Sequence, residues 1–200
     1  MQCHESGEYV ATHFRYPLIY GPRQPIPIEW RLMRRVLDGR RYIVLPDDGL
    51  LLLSRGYSQN MAHAVLLAVD KPKVSGGQIY NCADVKQFTL AQWAQLILNK
   101  MDAQLEVIGT PGVYPYTARD FFIGKEVMNH QLFDVYKIRS ELGYADVVPP
   151  IKGLSETVKW YLDNPPDFDA EYDADLQAHY RYRRRIGIIG PHLQRRIMEG

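Results

Sequence analysis

Aromatic or apolar residues fall at every second position from Phe14 through Tyr16 and Leu18 to Tyr20, the period of a pleated strand. Pro17 interrupts that run, so an edge strand, a strand end or a bulge is predicted, and Gly21-Pro22 predicts a turn after it. The period then changes. Trp30, Leu32, Met33, Val36 and Leu37 recur at three- and four-residue spacing. They predict a helix from Glu29 to Gly39, with the glycine closing it; Arg31, Arg34 and Arg35 could project toward an anion, and a solvated helix face is the preferred reading. A short strand, Arg41 to Leu45, leads to Pro46-Asp47-Asp48-Gly49, which reads as a hairpin turn. Leu50 to Leu53 is an apolar strand, and Asn60 is placed to cap a helix from Met61 to Ala68. A strand over 78–82 precedes Thr89, an N-cap for a helix from Leu90 to Met101 that buries Leu90, Trp93, Ala94, Ile97 and Leu98. Another strand covers 105–108. Residues 109–131 are rich in Gly, Pro and Tyr and lack a period, as functional or mobile segments do. Helices over 134–142, closed by Gly143, and 154–162, stopped by Asn164-Pro165-Pro166, complete the pattern.

Strands alternating with helices indicate an α/β or α+β fold. With 200 residues, 46% hydrophobic and 24% charged, the chain suits a single globular core. No apolar run is long enough to span a membrane, and the first residues lack a signal-peptide layout. Two cysteines, Cys3 and Cys82, are too few for a disulfide framework, so a reducing, cytoplasmic setting is expected. The six histidines show no metal-ligand spacing. Asp47 and Asp48 lack further acids at ligand spacing, so a turn role is preferred to a metal site. The net charge of +1 conceals an asymmetry: Leu176–Gly200 holds six arginines and one acid, on a mildly acidic body. Such a tail suits RNA or an anionic surface, or a packed or disordered extension. The second is preferred, and nucleic acid is not expected as a partner.

Four segments carry a resemblance. Arg15-Tyr16-Pro17-Leu18-Ile19-Tyr20-Gly21-Pro22 is similar to R-x-x-x-(V/I)-Y-G-P. Gly77-Gln78-Ile79-Tyr80-Asn81 is similar to G-x-x-(Y/F)-N, with Phe88-Thr89-Leu90 and its helix following. Asp134 to Tyr144 is similar to D-x-x-K-x-x-x-E-L-G-(Y/W), and Leu154 to Leu162 to a final helix. In this order and spacing they resemble the extended short-chain dehydrogenase/reductases, the NAD(P)-dependent epimerase and dehydratase family. The match runs from about Val10 to Pro165. It implies the C-terminal part of a Rossmann-like fold, residues 1–166, carrying the small substrate-binding subdomain, then a polar and basic tail over 167–200. In that family the proline of the first segment faces the nicotinamide. Tyr16, Pro17, Leu18 and Ile19 are therefore the implied contacts for NAD or NADP.

The departures bear on chemistry. No G-x-x-G-x-x-G follows a first strand, so no pyrophosphate cradle is present. No Tyr-x-x-x-Lys is present either, which removes the family's general acid/base. The family's R-(D/G)-(Y/F)-(I/V)-x-V-x-D, registered on the helix, puts Leu53 at the arginine and Asn60 at the aspartate. Arg55 lies two positions on, a spacing that keeps one strand face. Arg55 and Arg119 are the implied substrate-anion contacts. For Arg55 a surface role stands beside that reading, and for Arg119 a salt bridge to Asp120. Two functions follow. One is the substrate-binding portion of an NAD(P)-dependent epimerase, dehydratase or reductase on a small, sugar-like substrate, inactive by itself. The other is a non-catalytic module binding RNA, an anionic surface or a protein. Half a parallel sheet leaves an edge and an apolar face open, so self-association, including a homo-oligomer, is also expected.

Overall fold

The structure, a computed structural model, describes residues 6–7, 9–110 and 129–166, with the backbone alone at 42, 44 and 108–110. Arg119, most of the irregular stretch and the basic tail lie outside the described residues. The chain forms two compact units. One comprises Met1–Gln24, Leu52–Phe88 and Gln131–Thr157; the other comprises Pro25–Leu51, Thr89–His130 and Val158–Gly200.

In the first unit Pro17 divides the alternating run into two strands, β1 (His13–Arg15) and β2 (Leu18–Tyr20). Proline has no N–H for a ladder, so the chain changes partners there. β1 pairs in parallel with β6 (Ile79–Asn81), and β2 pairs in parallel with β5 (Arg55–Tyr57). Of the three expectations for Pro17 the strand end is what is found, and a second strand starts just after it. Between β5 and β6 runs α2 (Ser58–Asp70), which begins earlier than the sequence suggested. Asn60 lies in its first turn and does not cap it, because its amide is engaged elsewhere. Met61, Ala64 and Ala68 of α2 pack with Tyr80, Cys82 and Ala83 and with Ile138, Leu142 and Tyr144, and Phe14 joins from β1. Ile138 and Leu142 belong to α5 (Tyr136–Leu142), closed by Gly143 at φ 77°, a left-handed cap as predicted. The last helix, α6 (Pro150–Asp163), opens a turn before the sequence reading, since proline is well suited to a first helical position.

The second unit contains α1 (Ile28–Leu37), β3 (Tyr42–Pro46), β8 (Glu106–Thr110) and α4 (Leu90–Lys100). Two expectations fail here. Arg31 and Arg35 are buried, and only Arg34 keeps partial exposure beside Asp38. The wheel is rotated so that Leu37, assigned to the buried stripe, is 56% exposed. Pro46 to Gly49 is also not a hairpin connection. β3 pairs in parallel with β8, and Asp47, Asp48 and Gly49 turn the chain with φ of 45°, 54° and 73°. A Cβ at position 49 would stand 2.9 Å from the Ala91 backbone N, so only glycine fits. The α4 expectations hold. Thr89 Oγ1 accepts from Gln92 N at 3.1 Å, Thr89 N donates to Gln92 Oε1 at 2.9 Å, and the five predicted residues are buried.

Candidate functional site

The β2–β5 register sets Leu18 beside Arg55, Ile19 beside Gly56 and Tyr20 beside Tyr57. It thus brings together a residue implied for the cofactor and one implied for the substrate. Tyr16 and Ile19 stay exposed, Pro17 and Leu18 are half-buried, and Arg55 is buried. Burial disposes of the surface-arginine reading. Arg55 Nη1 donates to Leu53 O at 3.3 Å, and Arg55 O accepts from Asp84 N at 2.8 Å. Gly56 lies close under Met61, whose sulfur would stand 2.6 Å from a Cβ at that position.

Just past these strands lies a buried knot that the sequence reading missed. Asp84 Oδ2 accepts from Tyr20 Oη at 2.8 Å. Asp84 Oδ1 accepts from Tyr57 N at 3.0 Å and from Asn60 Nδ2 at 2.8 Å. The carboxylate therefore sits at the N-terminus of α2 and replaces the missing local cap. Asn60 Nδ2 also donates to Val148 O, and Asn60 Oδ1 accepts from Val148 N, both at 2.9 Å. Tyr20 Oη donates further to Pro150 O at 3.2 Å. Four segments, the end of β2, the start of α2, the chain after β6 and the approach to α6, are tied at one point. The available signal was an acid following the strand ending Tyr80-Asn81, in otherwise apolar company.

Burial pushes the Asp84 carboxyl above its usual range, while its hydrogen bonds to Asn60, Tyr57 and Tyr20 pull the other way. Asp146 is also raised, first by burial, although Val85 N donates to it. The phenols behave in the opposite sense to a proton-transfer tyrosine. Tyr57 donates to Glu156 at 2.5 Å and Tyr80 to Glu141 at 2.7 Å. Burial and then the carboxylate push both phenols well up. Tyr16 is raised by burial and by the neighbouring Cys82, whose thiol burial pushes up to about 12. A catalytic acid/base needs a pKa near the working pH, and the Tyr57 and Tyr80 phenols and the Cys82 thiol are pushed away from it.

Among the described residues no cluster of His, Cys, Asp or Glu could hold a metal, and no helix is long and apolar enough to cross a membrane. For a dinucleotide the fit is partial. Tyr16, Pro17, Leu18 and Ile19 offer accessible aromatic and apolar surface to a planar ring. The sequence holds no G-x-x-G-x-x-G, and among the described residues no glycine-rich strand-to-helix turn is present to hold phosphates.

No protein-family model matches the chain. It is 25% identical over 173 residues to the uncharacterized protein YbjS of Escherichia coli K12, a match covering 76% of this chain and 50% of YbjS. Among solved structures, UDP-glucuronic acid 4-epimerase from Bacillus cereus, in complex with UDP-glucuronic acid and NAD, superposes with a TM-score of 0.62 and 17% identity, over 80% of this chain and 48% of that one. UDP-glucose 4-epimerase from Thermotoga maritima, with UDP-glucose, gives 0.59 and 22% over 76% and 46%. The dTDP-glucose 4,6-dehydratase of Bacillus anthracis, in complex with NAD, gives 0.56 and 20% over 76% and 44%. The chain spans about half the length of the proteins it matches. Its fold is α/β and Rossmann-like, that of part of the epimerase and dehydratase structures.

Proposed function

We propose that this chain is the substrate-binding portion of an NAD(P)-dependent epimerase, dehydratase or reductase acting on a small, sugar-like substrate, and that it is catalytically inactive by itself. The observation that carries the reading is the β2–β5 register, which sets Leu18, next to Pro17, against the buried Arg55. Pro17, Leu18 and Ile19, with Tyr16, would line the nicotinamide side of the site, and Arg55 and Arg119 would receive the anionic part of the substrate. Proteins of this fold that bind UDP-glucuronic acid, UDP-glucose and NAD support the reading. The cofactor, when bound, supplies hydride chemistry. This chain's part is to orient the substrate and to shield one side from water.

The test is a titration of the purified chain with UDP-glucose, UDP-glucuronic acid and dTDP-glucose, with NAD(P)H absorbance followed in parallel. The expected result is weak binding of a nucleotide sugar with no turnover, and weaker binding still in Arg55→Lys. Lysine keeps the charge but loses the bidentate fork. Turnover by the chain alone, or binding indifferent to Arg55→Lys, would contradict the proposal.

A further inference from the structure

Helix α1 and the turn after it are heavily basic. Residues 29–41 hold Arg31, Arg34, Arg35, Arg40 and Arg41 against Glu29 and Asp38, a net charge of 5 − 2 = +3. The two acids are already engaged: Asp38 lies 3.7 Å from Arg34, and Glu29 accepts from the Trp93 indole at 3.2 Å. Arg31 and Arg35 stand one turn apart and are only 9% and 8% exposed. A buried guanidinium stays charged and needs anionic or carbonyl groups around it. Arg40 N donates to Arg35 O, which folds the next arginine pair back onto the end of the helix. The Arg40 Nε is buried with no hydrogen-bond partner among the described residues. This face calls for more negative charge than α1 itself supplies.

The chain carries a matching stretch. Asp167, Asp169, Glu171, Asp173 and Asp175 fall at every second position, with Phe168, Ala170, Tyr172 and Ala174 between them. In an extended segment that period puts all five carboxyls on one face; a helix would divide them between two sides. α6 brings the chain to α1 just before this stretch begins. The Tyr161 ring centroid lies 6.0 Å from that of Trp30, the residue before Arg31, and α6 ends two residues later at Asp163. Pro165 and Pro166 then favour an extended backbone. Six residues lead from Tyr161 to Asp167, a reach of at most about 20 Å. Fully extended, Asp167 to Asp175 spans about 26 Å, enough to follow the about 15 Å of α1 and reach Arg40 and Arg41.

We propose that residues 167–175 form an extended acidic strap that docks along the arginine face of α1 in the same chain. Its five carboxylates are set against Arg31, Arg34, Arg35, Arg40 and Arg41, an internal polyanion matched to them in number and in spacing along one face. The inference uses α1 and the end of the chain, on which the substrate reading does not depend.

The test places a nitroxide on Tyr172→Cys in the full chain carrying Cys3→Ser; Cys82 is buried and shielded from the reagent. In the magnetic resonance spectrum the label should broaden the amide signals of residues 31–41. Replacing the five acids together (Asp167→Asn, Asp169→Asn, Glu171→Gln, Asp173→Asn, Asp175→Asn) should remove the broadening while the amide signals of α4 stay in place. A further variant, Asp169→Ala, Ala170→Asp, Asp173→Ala and Ala174→Asp, keeps five acids but divides them between two faces of an extended segment. It should lose most of the broadening, which separates a matched face from bulk charge. Three results would overturn the proposal. One is a parent chain whose α1 amides are untouched by the label. Another is broadening that survives in either variant. The third is broadening that passes between chains when spin-labelled and isotope-labelled protein are mixed, which would make a second copy the source of the strap.

Discussion

Asn60→Asp tests the buried knot most sharply, because it puts back the residue type that the resemblance suggested at this position. The Asn60 amide nitrogen donates to Asp84 Oδ1 at 2.8 Å and to Val148 O at 2.9 Å. Aspartate offers neither donor. A hydrogen bond to a buried charge contributes about 1.5–3 kcal/mol and a neutral one about 1 kcal/mol, so the loss at pH 7 should be about 2.5–4 kcal/mol. Two carboxyls at this separation cannot both ionise without cost, so the pair takes up a proton and its upper pKa rises. Folded pKa values above the unfolded ones make stability greatest in acid and reduce it as pH rises through the raised value. The deficit relative to the parent chain should therefore be smallest near pH 4 and largest above neutrality. Urea unfolding followed by far-ultraviolet circular dichroism at several pH values measures it. Asn60→Asp combined with Asp84→Asn should recover about 1–3 kcal/mol, the coupling expected of residues in contact. A loss under about 1 kcal/mol at pH 7, or one independent of pH, would refute the reasoning.

Other outcomes follow from single contacts. Gly153→Ala in α6 should destabilise by about 1–3 kcal/mol, despite the helix preference of alanine, because the new Cβ would stand 2.7 Å from the Tyr57 ring; Gly56→Ala should cost less, its obstacle being the mobile end of Met61. Thr89→Ala should cost about 1 kcal/mol in thermal or urea melts through loss of the capping box. In the parent chain the raised Asp84 and Asp146 carboxyls favour the folded state fully below their unfolded value of about 3.8. That contribution is lost as pH rises through the folded values, and Asp84→Asn should flatten the slope in a series of melts.

What was legible in the sequence depended on whether a signal was local. Thr89 announces an N-cap directly before its helix, to which the structure adds Gln92 as the other half of a capping box, and Gly143 announces its helix end. The α4 face could be read because its period is regular. Pairing was not legible. Pro17 signalled an interruption, but nothing near it says that β1 goes to Ile79–Asn81 while β2 goes to Arg55–Tyr57. The Asp47-Asp48-Gly49 turn looked like a hairpin because its residue types suit one, while the partner strand β8 lies some sixty residues on. Asn60 looked like a cap for the same local reason, yet its bonds reach Asp84 and Val148. Of the candidate site, Leu18 and Arg55 were named as separate residues; only the register of β2 on β5 made them neighbours. Arg119 lies outside the described residues.

The most direct test of the central claim is a nuclear magnetic resonance titration of the isotope-labelled chain with UDP-glucose. The account predicts that amide shifts concentrate at Leu18, Ile19, Arg55 and Gly56, without any conversion of the sugar. Shifts gathered elsewhere, or none at millimolar ligand, would contradict it.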